Sequence, residues 1–241
     1  MKLKKFKSKL LTPPHNSQNF PSHWRGIEGE DFRKPNYAGG LFGVIFVAIL
    51  FSCSAPKQKL LLPIMGDKKL GNTDTIYHCI GDFELKNQFG DLISNKTTAN
   101  KIYVADFFFA TCQSICPEMS TNLILVQKAF EKDDSVLILS HSVNPRHDTV
   151  EVLFNYGKTY GALKNKWHFL TGNKKLIYEL AKTSYLVNAF EDDGSAEGFL
   201  HSELLLLIDK QGRIRGMYDG TDKVEVNKLI KDIGLLKQEK N

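Results

Sequence analysis

The chain has 241 residues, 42% of them hydrophobic and 24% charged, with a net charge of +5. That length accommodates one domain of ordinary size plus an appendage. Positions 1–37 hold eight Lys/Arg against three acidic residues, which leaves 24 basic and 24 acidic residues for the rest; a neutral body without a basic stripe excludes a nucleic-acid partner.

Residues 1–37 carry Pro13, Pro14, Pro21 and Pro35 among scattered polar side chains, with neither helical nor strand period. They read as a basic, disordered N-terminal extension; a reading frame opened upstream of the true start explains them equally well. Residues 38–53 follow as an uncharged apolar run from Ala38 to Cys53. Its strongly apolar centre, Leu41 to Phe51, is short for a spanning helix, which needs about 20 residues, and suits a signal h-region. Leu50-Phe51-Ser52-Cys53 resembles a bacterial lipobox, in which Cys53 would be the lipidated mature N-terminus. An uncleaved anchor from about Ala38 to Ala55 is the rival. In both cases the basic tail stays in the cytoplasm, and the domain is membrane-anchored on the extracytoplasmic (periplasmic) side.

Residues 54–74 read as a linker, and residues 75–241 as the folded domain. Ile76 to Ile80 and Phe83 to Leu85 are short strand-like pieces, with turn chemistry at Asn87-Gln88-Phe89-Gly90. Cys79, in an apolar strand-like context, is expected to be a buried small hydrophobe. Lys101 to Phe109 is a nearly continuous apolar run, which predicts a central strand buried on both faces. Pro117 to about Lys132 has helical spacing at Met119, Leu123, Val126 and Phe130. A strand at 135–143 follows, then a helix over 147–160 with Val150, Leu153, Phe154 and Tyr156 inward. A short strand at 167–170 leads to a helix capped by Thr171 or Asn173 and running to about Thr183. Phe199 to Asp209 and Arg213 to Tyr218 form a hairpin. The last helix, capped by Thr221 or Asp222, has Val224, Leu229, Ile230 and Ile233 as core residues. Strand, helix, strand, helix, strand, helix, hairpin and helix is a thioredoxin-like α/β plan: a central mixed β-sheet with helices on both faces.

The chemistry-bearing motif is Thr111-Cys112-Gln113-Ser114-Ile115-Cys116-Pro117, where the central strand ends and a helix begins. Backbone N–H groups at a helix start favour thiolate, so these thiols are expected to ionise more easily than a free one. Pro117 fits the first helical turn. Three intervening residues exclude the two-residue spacing of the usual dithiol oxidoreductase, which leaves a metal or redox site. In this plan the segment Glu197 to Glu203 faces the junction. A dithiol oxidoreductase of the fold needs a cis-proline there, and the sequence has no proline after Pro145. His201 stands in that neighbourhood instead. Two thiolates and one imidazole suit copper, and such a set also suits zinc. His78, His141, His147 and His168 lack that context and are expected to be solvent-facing or hydrogen-bonding residues.

From about Ile76 to Leu236 the sequence resembles the Sco/SenC family of copper-binding assembly proteins. The likeness is carried by Phe108 to Pro117, which matches a CxxxCP motif, and by Ser142 to Thr149, similar to a Val-Asp-Pro-x-x-Asp-Thr pattern. Trp167 to Gly172 and His201-Ser202 with the strand to Asp209 also match. Asn144 departs from the pattern, standing where the family usually has Asp. Leu200 departs too, preceding His201 where a polar residue is common. The resemblance implies that Cys112, Cys116 and His201 hold one copper ion. It also implies a chaperone, rather than a turnover enzyme, that helps assemble the copper centre of a haem-copper cytochrome c oxidase. Its partner would be a copper-receiving oxidase subunit or another copper protein. The alternative is a membrane-tethered thiol–disulfide oxidoreductase with Cys112 and Cys116 as its redox pair. The thiols are expected to be half-exposed at the sheet edge, where an incoming thiol can displace one ligand at a time.

Overall fold

A computed structural model describes residues 61–71, 74–187 and 202–239. Two of the expected site residues, Cys53 and His201, lie outside these, as do the N-terminal extension and the apolar run of residues 38–53. The chain divides into two units, residues 1–55 and 56–241, and all described residues belong to the second. Among the described residues no helix is long and apolar enough to cross a membrane.

The framework is a seven-stranded mixed sheet with strands in the order β4-β3-β7-β6-β5-β8-β9. Its centre is β5 (Ile102–Phe108), flanked by β6 (Val136–Ser142) and then β7 (Trp167–Thr171), all three parallel. On the other side of β5 run β8 (Leu204–Ile208) and β9 (Ile214–Asp219), an antiparallel hairpin. Every residue of β5, β6 and β7 is buried, which is why these segments read as near-continuous apolar runs. Successive side chains of a strand point to opposite faces. Accordingly Phe107 meets Tyr185, at the end of the helical segment after β7, while Phe108 meets Tyr156 of α3 (Val150–Thr159). Helices thus cover both faces, as the sequence predicts.

The helix starts follow from short polar side chains that accept from otherwise unpartnered N–H groups. Thr149 caps α3, Asn173 caps α4 (Lys174–Glu179), and Asp222 caps α5 (Lys223–Gln238). Helix α4 passes into one π-helical turn at Leu180–Ser184. Two core assignments differ from expectation. Val224 is 72% exposed, and Val226, Leu229, Ile233 and Leu236 form the buried stripe of α5. Phe154 of α3 points outward and packs edge-on against Phe89, leaving Leu153 and Gly157 as the buried positions.

The short elements are those the pattern could not reveal. Strand β3 (Glu84–Asn87) pairs antiparallel with β4 (Leu92–Ser94), which runs into the one-turn helix α1 (Asn95–Thr98). Segment 54–74, read as a linker, contains β1 (Lys68–Leu70), which pairs with β2 (Thr75–Tyr77). That segment also reaches the body, for Met65 N–H donates to the Ile214 carbonyl, and Arg215 donates to the carbonyls of Leu62 and Pro63. Cys79 is exposed, contrary to expectation. Beyond β2 the chain is held through its alternate residues His78 and Ile80, whose N–H groups donate to Asp67 and Gly212 carbonyls, and this turns Cys79 outward.

Candidate metal and thiol site

The site begins where β5 runs out. After Phe108 the chain makes a tight turn in which Cys112 N–H donates to the Phe109 carbonyl at 3.1 Å. Helix α2 (Cys116–Ala129) then starts at Cys116, with Ile115 at the cap position and Pro117 in the first turn. Ile115 has no side chain that could cap the helix. The sulfur of Cys112 takes that place, accepting from Cys116 N–H at 3.4 Å. The spacing of the two cysteines thus has a structural consequence: the first closes the helix that the second begins. Ser114 Oγ lies 3.5 Å from the Cys112 sulfur.

Both thiols are free and buried, Cys112 at 6% and Cys116 at 2% exposure, beneath the exposed Thr111, Gln113 and Ser114. The expectation of half-exposed thiols is therefore corrected. So is the expectation of easy ionisation, for Cys116: burial and the adjoining Cys112 thiol push its pKa well above that of a free thiol. Desolvation of the charged form outweighs the favourable end of the helix. Bringing Cys116 into its thiolate form then needs a cation beside it or an opening of the turn.

Beneath the thiols lies a second buried acid. Asp106, on β5, is 2% exposed and is one of the charges that raise the Cys116 thiol. Its own carboxyl is pushed up to about 7 by burial, although the Ser140 hydroxyl donates to it at 2.5 Å. On the opposite face of the sheet, His141 is fully buried, stacked on Phe107, and held down to about 4 by the same loss of solvent. Among the described residues its Nε2 has no hydrogen-bond partner.

The other histidines among the described residues are used in the fold. His78 Nε2 bonds the Ser184 carbonyl at 2.7 Å, and the Nδ1 of buried His168 lies 3.2 Å from the Asn87 amide. His147 is half-exposed and pairs with Asp148. Among the described residues no group of three His, Cys, Asp or Glu is placed to hold a metal ion; His201, the expected third ligand, lies outside them. Ala105 pairs with Leu206 and Val104 with Leu207, antiparallel, so Leu204, the first residue of β8, sits toward the β5 end that leads to Cys112. Met119 is a core residue, 1% exposed. The sequence did not single out Asp106, and it offered Ser142 and Asp148 only as members of a motif with no role of their own; all three are buried at this end of the sheet. An acidic residue inside an apolar run was the available signal for Asp106.

Comparison with known proteins places this geometry. A family model described as SCO1/SenC matches residues 72–235. A SCO1/SenC family lipoprotein from Bacillus anthracis has a similar structure (TM-score 0.61, 28% identity), with 67% of this chain and 96% of that one covered. BsSco, from the Sco family of cytochrome c oxidase assembly proteins and described with a disulfide switch, is similarly related (TM-score 0.60, 26% identity, 68% and 95% covered). Bradyrhizobium japonicum ScoI, solved with copper bound, shares the fold (TM-score 0.55, 24% identity, 66% and 99% covered). With its mixed thioredoxin-like sheet and paired cysteines at the end of the central strand, the chain belongs to the SCO1/SenC family.

Proposed function

We propose that this protein is a copper chaperone that binds one copper ion through Cys112, Cys116 and His201 and helps assemble the copper centre of a haem-copper cytochrome c oxidase. The observation that carries the reading is the pair of free, buried thiols in one turn at the strand-to-helix junction of a SCO1/SenC domain. Soft sulfur suits Cu(I), and an imidazole helps to hold Cu(II). The copper bound by the ScoI relative and the oxidase-assembly family of BsSco support it. The ion is cargo, and two sulfurs on one turn suit it; His201, just before β8 in sequence, would be the third ligand. A cation between the sulfurs offsets the burial that otherwise holds Cys116 protonated. The proton of each thiol leaves as the metal binds, so loading weakens as pH falls. Oxidation of the two thiols to a disulfide removes two of three ligands and couples loading to redox state. Cys53 would carry the lipid that keeps the domain at the membrane on its extracytoplasmic side, a reading supported by the lipoprotein relative.

The test is copper loading of the domain (residues 54–241) under reducing conditions. Wild type is expected to bind one ion. Cys112→Ser, Cys116→Ser and His201→Ala should each lose more than the roughly 10–100-fold that removal of an outer partner costs. Equal binding by wild type and His201→Ala would sink this ligand set. No binding at all would leave thiol–disulfide exchange with copper proteins as the function of the pair. Mass spectrometry of the mature N-terminus tests the anchor: acyl groups on Cys53 are expected, and an intact peptide through Leu41 to Cys53 excludes them.

A further inference from the structure

The loop between β6 and α3 ends in a carboxylate with no solvent contact. Asp148 is fully buried. Its Oδ2 accepts from the Ser142 hydroxyl at 2.5 Å and from the Ala110 backbone N–H at 3.1 Å, while its Oδ1 lies 2.9 Å from His147 Nδ1. Burying a charge is costly unless donors surround it, and here donors from three places converge on one group. Ser142 is the last residue of β6. Ala110 lies two residues past the end of β5 and two before Cys112. A peptide N–H in that position has left the strand ladder and needs another acceptor.

The neighbouring contacts hold the carboxylate itself in place. Asp148 N–H donates to the Asn144 carbonyl at 2.9 Å, and the Ser142 oxygen also accepts from Asn144 N–H at 3.1 Å. Val143 N–H donates to the Phe108 carbonyl at 2.8 Å, and the Tyr178 hydroxyl donates to the Val143 carbonyl at 3.0 Å. The loop is therefore rigid where it meets the end of β5. The cysteine turn is held at its other end by the Cys112 sulfur on Cys116 N–H.

We infer that Asp148 is a positioning residue for the dithiol: by fixing Ala110 it fixes the turn that carries Cys112 and so the placement of the Cys112 sulfur over Cys116. The inference rests on Cys112 and Cys116 being the working pair, and does not depend on which metal they carry. Position rather than charge is what the geometry uses. An asparagine at 148 can accept from Ala110 and Ser142 with its oxygen and donate from its nitrogen to a neutral His147. An alanine can do neither.

The test uses the full chain in detergent, equilibrated between reduced and oxidised glutathione. The Cys112–Cys116 dithiol gives two protons and two electrons to one glutathione disulfide, yielding the protein disulfide and two glutathione thiols. After alkylation the ratio is read on the tryptic peptide 102–128, which holds both cysteines and excludes Cys53 and Cys79. Asp148→Ala loosens the turn and lowers the effective concentration of one thiol at the other, so its equilibrium constant is expected to move toward dithiol by about tenfold, which corresponds to about 30 mV. Asp148→Asn is expected to stay within about twofold of wild type. An unshifted Asp148→Ala overturns the inference. So does an Asp148→Asn as displaced as the alanine variant, since charge and not position would then be at work. Should Asp148→Ala fail to fold, amide exchange in the wild-type chain decides: Ala110 N–H should exchange more slowly than those of exposed Thr111 and Gln113, and equal rates overturn the assignment. A wild type that shows this thiol behaviour but binds no copper removes the chaperone reading and leaves the role of Asp148 standing.

Discussion

Arg215→Ala should lower the stability of the domain by about 3–5 kcal/mol, the cost of breaking a buried ion pair by removing one partner. Arg215 is 4% exposed, and its guanidinium donates to four groups on three segments. Nη1 donates to Asp209 at 3.0 Å and Nη2 to Glu239 at 2.8 Å; Nε reaches the Pro63 carbonyl at 3.0 Å and Nη2 the Leu62 carbonyl at 2.7 Å. The planar fork of donors matches this arrangement, and the single ammonium of lysine does not. Asp209 keeps Arg213, which bonds it at 2.8 Å, so the loss falls on Glu239 and the two carbonyls. In a folded unit of this size about 3–5 kcal/mol corresponds to a fall in Tm of roughly 6–20 °C, read by calorimetry. Arg215→Lys should recover less than half of it. The network sits by the turn after Ile208, which pairs with Tyr103 near the start of β5, whereas the cysteines follow the end of that strand. Copper binding below the melting transition should therefore be unchanged. A loss under about 1 kcal/mol, the scale of an exposed pair, would show that Arg215 is not the clamp between the N-terminal segment and the end of α5.

What could be read from the sequence followed from how strongly burial constrains composition. Strands β5 to β7 are covered on both faces, so their apolar runs announced the sheet, and the CxxxCP motif placed the thiols at its edge. Strands β1 and β4 are three residues long, and β1 is exposed throughout; no period can emerge from them. At the start of α5, Val224 and Val226 both suit an apolar stripe. The choice of Val226 depends on Asp222 being the cap, which sets the phase of the helix. The thiols show a different limit. Helix start and spacing were legible, but the depth of the turn was not, and depth is what raises Cys116. Asp148 lay within a motif already singled out, yet its importance comes from Ala110, 38 residues away, which local pattern cannot reach.

Asp106→Asn should make the protein more stable at pH 8 and change the shape of its pH–stability curve. The Asp106 carboxyl is raised from an ordinary carboxylate value to about 7 in the fold. Between about pH 4 and 7 the folded state therefore holds a proton that the unfolded chain has released. Its stabilising contribution is full below about pH 4 and falls by about 1.4 kcal/mol per pH unit until pH 7. His141 and His168 work in the opposite sense, for both are lowered to about 4 by burial. Between about pH 4 and 6.5 the unfolded chain binds the protons that these rings refuse, so stability rises with pH by about 1.4 kcal/mol per unit for each. With Asp106 offsetting one of the two histidines, wild type should gain about 1.4 kcal/mol per unit from pH 4 to 6.5, then decline slightly to pH 7. Asparagine mimics the protonated acid and keeps an oxygen to accept from Ser140. The variant should climb about twice as steeply and then stay level. At pH 8 it should exceed wild type by about 2–4 kcal/mol, somewhat less than the full shift because its amide nitrogen gains no evident partner. Denaturant unfolding at pH 5, 6.5 and 8 reads all of this. Parallel curves for the two proteins would mean that Asp106 ionises in the fold as it does in water, with Ser140 and bound solvent compensating its burial.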